Sequence, residues 1–125
     1  MGQALWVGLG GFIGAVLRYV VGGAVQRWSK AVAFPYGTLA VNLIGCLAIG
    51  FFSQVADRRG FFSAEGRAFA FLGVLGAFTT FSTFGSDSVE LFRAGQSVPG
   101  LLNVGGHIVL GLGAVLLGRY LGQWV

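Results

Sequence analysis

The sequence is short of nearly everything that a water-soluble enzyme uses. Its 125 residues hold one histidine, one cysteine, four acids and two prolines, and only 10% of the chain is charged. Soluble domains carry roughly 25% charged residues, so the chain has too little polar matter to coat a water-facing surface. One histidine, one cysteine and no paired acids within an uncharged stretch cannot supply a nucleophilic triad or a metal cluster from a single copy. No enzymatic activity is expected. Cys46 has no second cysteine to pair with and reads as a small buried hydrophobe. Disorder is excluded from the other direction: 55% of residues are hydrophobic, 12 are phenylalanine, and the mean hydropathy is +0.80.

What the sequence does have is long uncharged stretches, over 1–17, 31–56, 68–86 and 94–118. The second and fourth exceed the roughly 20 residues that a helix needs to cross a bilayer core, and the third just reaches it. The first is interrupted by Arg18 but continues to Gln26. The pattern predicts an all-α membrane protein, one transmembrane domain over 1–125, with spans at about 4–26, 33–56, 66–92 and 99–122. Ala31-Val32-Ala33 imitates a signal-peptide cleavage site. The basic residues Arg18, Arg27 and Lys30 nonetheless lie within or after the apolar segment, where a signal sequence has them before it.

The net charge of +4 comes from eight basic residues scattered near helix ends, not gathered into the stripe that nucleic acid requires. Four spans put both termini on one side, with Arg58, Arg59, Arg67 and Arg119. The other side takes Arg27, Lys30, Arg93 and, late in the first span, Arg18. Since the excess of Lys and Arg sets the direction of insertion, this balance permits insertion both ways and an antiparallel homodimer.

Glycine is abundant, at 23 residues, and lipid gives helices no hydrophobic reason to associate, so close backbone approach must hold them together. Gly10 and Gly14, Gly11 and Ala15, and Ala114, Gly118 and Gly122 recur at four-residue spacing, and His107 and Gly111 continue the last face. Gly8-x-Gly10-Gly11-x-x-Gly14 imitates a dinucleotide fingerprint but has no strand before it. The polar groups at membrane depth are functional candidates, because leaving them unpaired in hydrocarbon is costly. Thr38, Asn42 and Cys46 share one face of the second span. Asn42 reads equally as interhelical glue. In the third span, Gly73 to Gly76 and the Thr-Phe run after them make a poor helix interior. Two readings stay open there. One is a continuous helix with Phe78, Phe81 and Phe84 on one edge and Thr80, Thr83, Asp87 and Glu90 on another; the other is a break whose freed carbonyls line a cavity.

Gly76-Ala77-Phe78-Thr79-Thr80-Phe81-Ser82-Thr83-Phe84, with Gly14-Ala15-Val16-Leu17-Arg18-Tyr19 and Pro35-Tyr36-Gly37-Thr38-Leu39-Ala40-Val41-Asn42 before it, resembles the signature set of the Fluc fluoride channels over the whole chain. The resemblance implies four-helix subunits with a broken third helix, paired as a dual-topology antiparallel homodimer in the lipid bilayer of the bacterial inner membrane. It also implies two pores that pass fluoride passively and a central structural sodium ion. It marks Asn42 as the pore amide, Phe81 and Phe84 as the rings facing the anion, Ser82 and Thr83 as neighbouring hydroxyls, and Arg18 as a vestibule residue. The carbonyls of Gly76 and Thr79 match the sodium ligands. Three positions depart from the pattern: Ala77 for a glycine, Asp87 for a glutamate and His107 for a small hydroxyl. His107 could tune pore polarity or its pH response, and a plainly hydrogen-bonded ring is the favoured reading. Asp87 and Glu90 are expected at a vestibule or paired with Arg93. The competing function is a small dual-topology proton-coupled multidrug transporter, which needs a deep carboxylate that the first two spans lack.

Overall fold

The computed structural model describes residues 2–60 and 62–125. These residues form α1 (Gly2–Ser29), α2 (Tyr36–Arg59), a third segment in four pieces, and α6 (Ser97–Gly122). The third segment runs as α3 (Ala64–Arg67), a π-helical stretch (Ala68–Leu75), α4 (Gly76–Phe78) and, after a two-residue interruption, α5 (Phe81–Arg93). Taken as Ala64–Arg93 it is one of four segments long and apolar enough to cross a membrane. The chain is a multi-pass, all-α membrane protein with a broken third helix.

The ends of these helices follow local chemistry. Arg27, Arg58, Arg59 and Arg93 lie in last turns, where the helix dipole favours positive charge. Gly60 ends α2 at φ 57 and Gly95 follows α5 at φ 74, a left-handed geometry that glycine adopts without a Cβ penalty. Ser63 caps α3 by accepting the Gly66 amide at 3.1 Å. The connection after α1 is fixed by Gln26, which donates to the carbonyls of Ala31 (2.9 Å) and Phe34 (3.1 Å) and accepts from the amide of Gly37 (2.9 Å). That side chain stitches the end of α1 to the first turn of α2.

α2 packs along α6, while α1 packs along the π-helical stretch and α4. Both seams rest on missing side chains. A Cβ on Gly73 would lie 2.8 Å from Gly10 Cα, and one on Gly118 would lie 2.8 Å from the Phe51 nitrogen, in each case against backbone that cannot swing aside. Of the paired glycines in the first span, Gly10 and Gly14 are buried, whereas a Cβ on Gly11 would meet nothing within 4 Å. The outside of the bundle is apolar: Phe12, Leu112 and Leu116 are among many large side chains left exposed, as a lipid-facing surface requires. Gly118→Ala is expected to force α2 and α6 apart, at about 1–3 kcal/mol for such overpacking, and to lower the thermal unfolding midpoint of the detergent-purified protein.

Candidate functional site at the broken third helix

The helical path of the third segment stops at Thr79 (φ −83°, ψ 159°) and Thr80 (φ −152°, ψ 109°), both extended. Extended residues at membrane depth leave backbone groups without helical partners, a state tolerated only where other groups replace them. Asn42 on α2 replaces them for Thr80. Its Nδ2 donates to the Thr80 carbonyl at 3.0 Å, and its Oδ1 accepts the Thr80 amide at 2.8 Å. The amide side chain has only one acceptor oxygen but two donor hydrogens, so one N–H remains after the clamp is made.

The two threonines complete the break. Thr79 keeps its N–H and its hydroxyl on the Leu75 carbonyl, both at 3.1 Å, which ends α4. The Thr80 hydroxyl accepts from the Thr83 amide at 3.2 Å as the cap of α5 and gives its proton to the Thr83 hydroxyl at 2.9 Å. The Thr83 hydroxyl, accepting there, retains its own proton for another partner. Ser82 Oγ lies 3.4 Å from the Thr80 hydroxyl.

These bonds release two carbonyls. The Thr80 amide would close on Gly76 in a continuous helix, and the Thr83 amide on Thr79, yet both donate elsewhere. Gly76 is also exposed. Oxygen atoms withdrawn from helical bonding are suitable ligands for a hard cation, so Gly76 and Thr79 fit the sodium chemistry expected of them. Arg18 adds a constraint. Its guanidinium donates to the Thr79 carbonyl at 3.4 Å, leaving that oxygen's second lone pair available. Arg18 therefore sits at the depth of the break. Removing it from the loop count changes the distribution of basic residues from four against four to four against three.

Two cavities flank Thr80. The larger, about 370 Å³, brings Asn42, Phe81 and Phe84 together with Gly76, Thr79 and His107. The second, about 330 Å³, joins Arg18, Thr38 and Thr83 on the other side. Ser82 is exposed and lines neither. The Phe81 and Phe84 rings lie 5.4 Å apart at 57°, and Phe81 is 82% exposed, so its ring stands out from the chain. Phe78 does not share their edge. The break turns it inward to 7% exposure, against the Gly45 position of α2.

Of the expected carboxylate pairings the structure makes the one between Glu90 and Arg93, while other contacts have no counterpart in the sequence reading. Thr38 donates to Asp87 at 2.8 Å, so this acid is tied across to α2. Glu90 takes Arg93 at 3.5 Å on an exposed face. Asn103, with no exposed surface, donates to Ser88 at 3.0 Å, and Ser88 donates to the Phe84 carbonyl at 2.7 Å. This relay pins α6 to the backbone of α5 at Phe84. Its signal was the four-residue step from Asn103 to His107, which puts both on one face of the fourth span.

A family model described as CrcB-like protein, camphor resistance, matches residues 5–119. Curated relatives called fluoride-specific ion channel FluC include one from Rhizobium etli (strain CIAT 652), 45% identical over 93% of this chain and 92% of its own length. Another, from Chloroflexus aurantiacus, is 43% identical over 99% and 98%. A third, fluoride-specific ion channel FluC 3 of Methanosarcina barkeri, is 44% identical over 92% and 86%.

Asn42→Ala is expected to strand the amide and carbonyl of Thr80. At about 1–3 kcal/mol for each unsatisfied buried group, the clamp loss lowers the detergent melting midpoint. Asn42→Asp, which keeps the acceptor but not the donors, is expected to retain part of that stability.

Proposed function

Because the chain belongs to the CrcB-like family of FluC channels, we propose that it is a fluoride-selective channel that lets fluoride leave the cell passively and so lowers cytoplasmic fluoride. The observation that carries this reading is the cavity lined by Asn42, whose amide keeps one N–H beyond its bond to Thr80, and by the rings of Phe81 and Phe84 beside a broken helix. Fluoride is small and strongly hydrated, so a pore must replace its water with directed donors. The groups here are neutral. Amide N–H, hydroxyl O–H and the positive edges of phenylalanine rings each offer partial charge, enough to admit an anion without holding it. Among the described residues, the lining of the larger cavity holds no Asp, Glu, Lys or Arg side chain. The retained proton of Thr83 and the guanidinium of Arg18 line the neighbouring cavity, where they attract the ion towards the break.

The working unit is a homodimer of oppositely inserted copies in the bacterial inner membrane. The near balance of basic residues between the two sides supports this, as do the exposed Phe81 ring and the exposed Gly76 backbone, which a second copy would cover. In that assembly the Gly76 and Thr79 carbonyls of both copies would hold a structural sodium ion, and its charge would offset carbonyl dipoles converging on the interface. A proton-coupled drug transporter is not supported. The relatives bear the name of a fluoride channel, Asp57 pairs with Arg119 and Glu90 with Arg93, and Asp87 is committed to Thr38.

Liposomes containing the purified protein and loaded with fluoride are expected to empty within seconds to minutes, read with an ion-selective electrode, while chloride-loaded liposomes hold their content. Phe81→Ile and Phe84→Ile are each expected to cut fluoride flux by about tenfold or more, the order of one lost favourable contact at roughly 1.4 kcal/mol, with the dimer intact on size-exclusion chromatography. Fluoride-loaded liposomes as tight as protein-free ones would refute the channel reading.

A further inference from the structure

His107 is the single histidine of the chain, and its surroundings give its two ring nitrogens different tasks. Nδ1 lies 2.9 Å from the Asn103 carbonyl, one turn back on α6. A carbonyl can only accept, so Nδ1 carries the hydrogen and the neutral ring leaves Nε2 as a bare acceptor. Nε2 is buried and without a hydrogen-bond partner among the described residues. The ring stacks on Phe84 at 4.3 Å and 39°, and it lines the same cavity as Asn42 and Phe81.

We propose that His107 is a proton-switched fluoride ligand: neutral, it presents a lone pair that repels the anion, and protonated at Nε2 it donates a charge-assisted hydrogen bond to fluoride beside Phe84. This rests on the channel reading and adds to it a residue and a pH dependence. Fluoride only accepts, so the sign of the effect is fixed by which ring form can donate. Histidine is the side chain type that ordinarily changes charge between pH 5 and 8. Nothing nearby competes for the proton among the described residues. From α2 the one titratable group in the cavity lining is Cys46, while Asp57 pairs with Arg119. From α5, Asp87 is bonded to Thr38 and Glu90 to Arg93, and neither lines the cavity. The pieces between α3 and α5 contribute no titratable side chain to it.

Two measurements test this. In liposomes, the half-saturating fluoride concentration for efflux through the wild-type protein is expected to fall about tenfold between pH 8 and pH 5.5, the increment that one hydrogen bond to a charged group ordinarily brings. His107→Gln is expected to lose that dependence. Because binding linkage is reciprocal, fluoride should in turn move the titration midpoint of the one histidine resonance upward by about one pH unit, and chloride should not. This second readout needs no variant to fold. An unchanged midpoint with fluoride, or the same pH dependence in wild type and His107→Gln, overturns the assignment of His107 while leaving the channel reading standing. Liposomes that retain fluoride at every pH overturn both.

Discussion

The pair of hydrogen bonds between Asn42 and the Thr80 backbone is the constraint on which the site depends. A chain that abandons helical geometry within the membrane exposes an amide and a carbonyl to a medium that cannot solvate them. One side chain with a donor and an acceptor in a fixed plane satisfies both at once. At neutral pH only the primary amides of asparagine and glutamine hold a donor and an acceptor side by side at the end of the side chain. Once Thr80 is held, its hydroxyl can cap α5, the Gly76 and Thr79 carbonyls lose their helical donors, and Phe81 and Phe84 start a new helix aimed differently from Phe78. The break, the released oxygens and the paired rings are consequences of one contact.

That contact also explains how far the sequence could be read. The four membrane segments were legible because charges are so sparse that the gaps between them measure out the bilayer. The break was half legible, since Gly73, Gly76 and the threonine run weaken a helix without saying where it parts. Asn42 was recognisable as important through the order of its motif, but its partner was not, because 38 residues separate it from Thr80 and only the packing of α2 against the third segment brings them together. The Thr38–Asp87 and Asn103–Ser88 bonds have the same character. Sequence spacing predicts neighbours within a helix, and it is silent about which helix lies opposite. The π-helical stretch over Ala68–Leu75 has no compositional mark at all; its sequence is simply apolar.

Arg18 shows how depth can be misjudged from order alone. Late in the first span it looks like a residue near the loop, yet α1 runs on to Ser29 and carries the guanidinium to the middle of the third segment. Its charge is placed against a carbonyl freed by the break, so the burial of one unmatched group relieves that of another. The same geometry keeps the arginine out of the larger cavity, where a permanent positive charge would hold an anion at every pH.

The packing of the bundle gives a reason for the site to be left open. Glycine seams let α2 approach α6, and α1 approach the third segment, so closely that backbone meets backbone, and the inner volume is consumed by these contacts. Few large side chains are fully buried; Val41 and Asn103 are the largest with essentially no exposure. A helix pair that packs this tightly cannot also enclose a path for an ion between its members. The larger cavity lies instead beside the break, where Phe81 and Gly76 are exposed. In the proposed channel a single copy would build half of a lining, completed by an anion in the cavity and a second bundle across it.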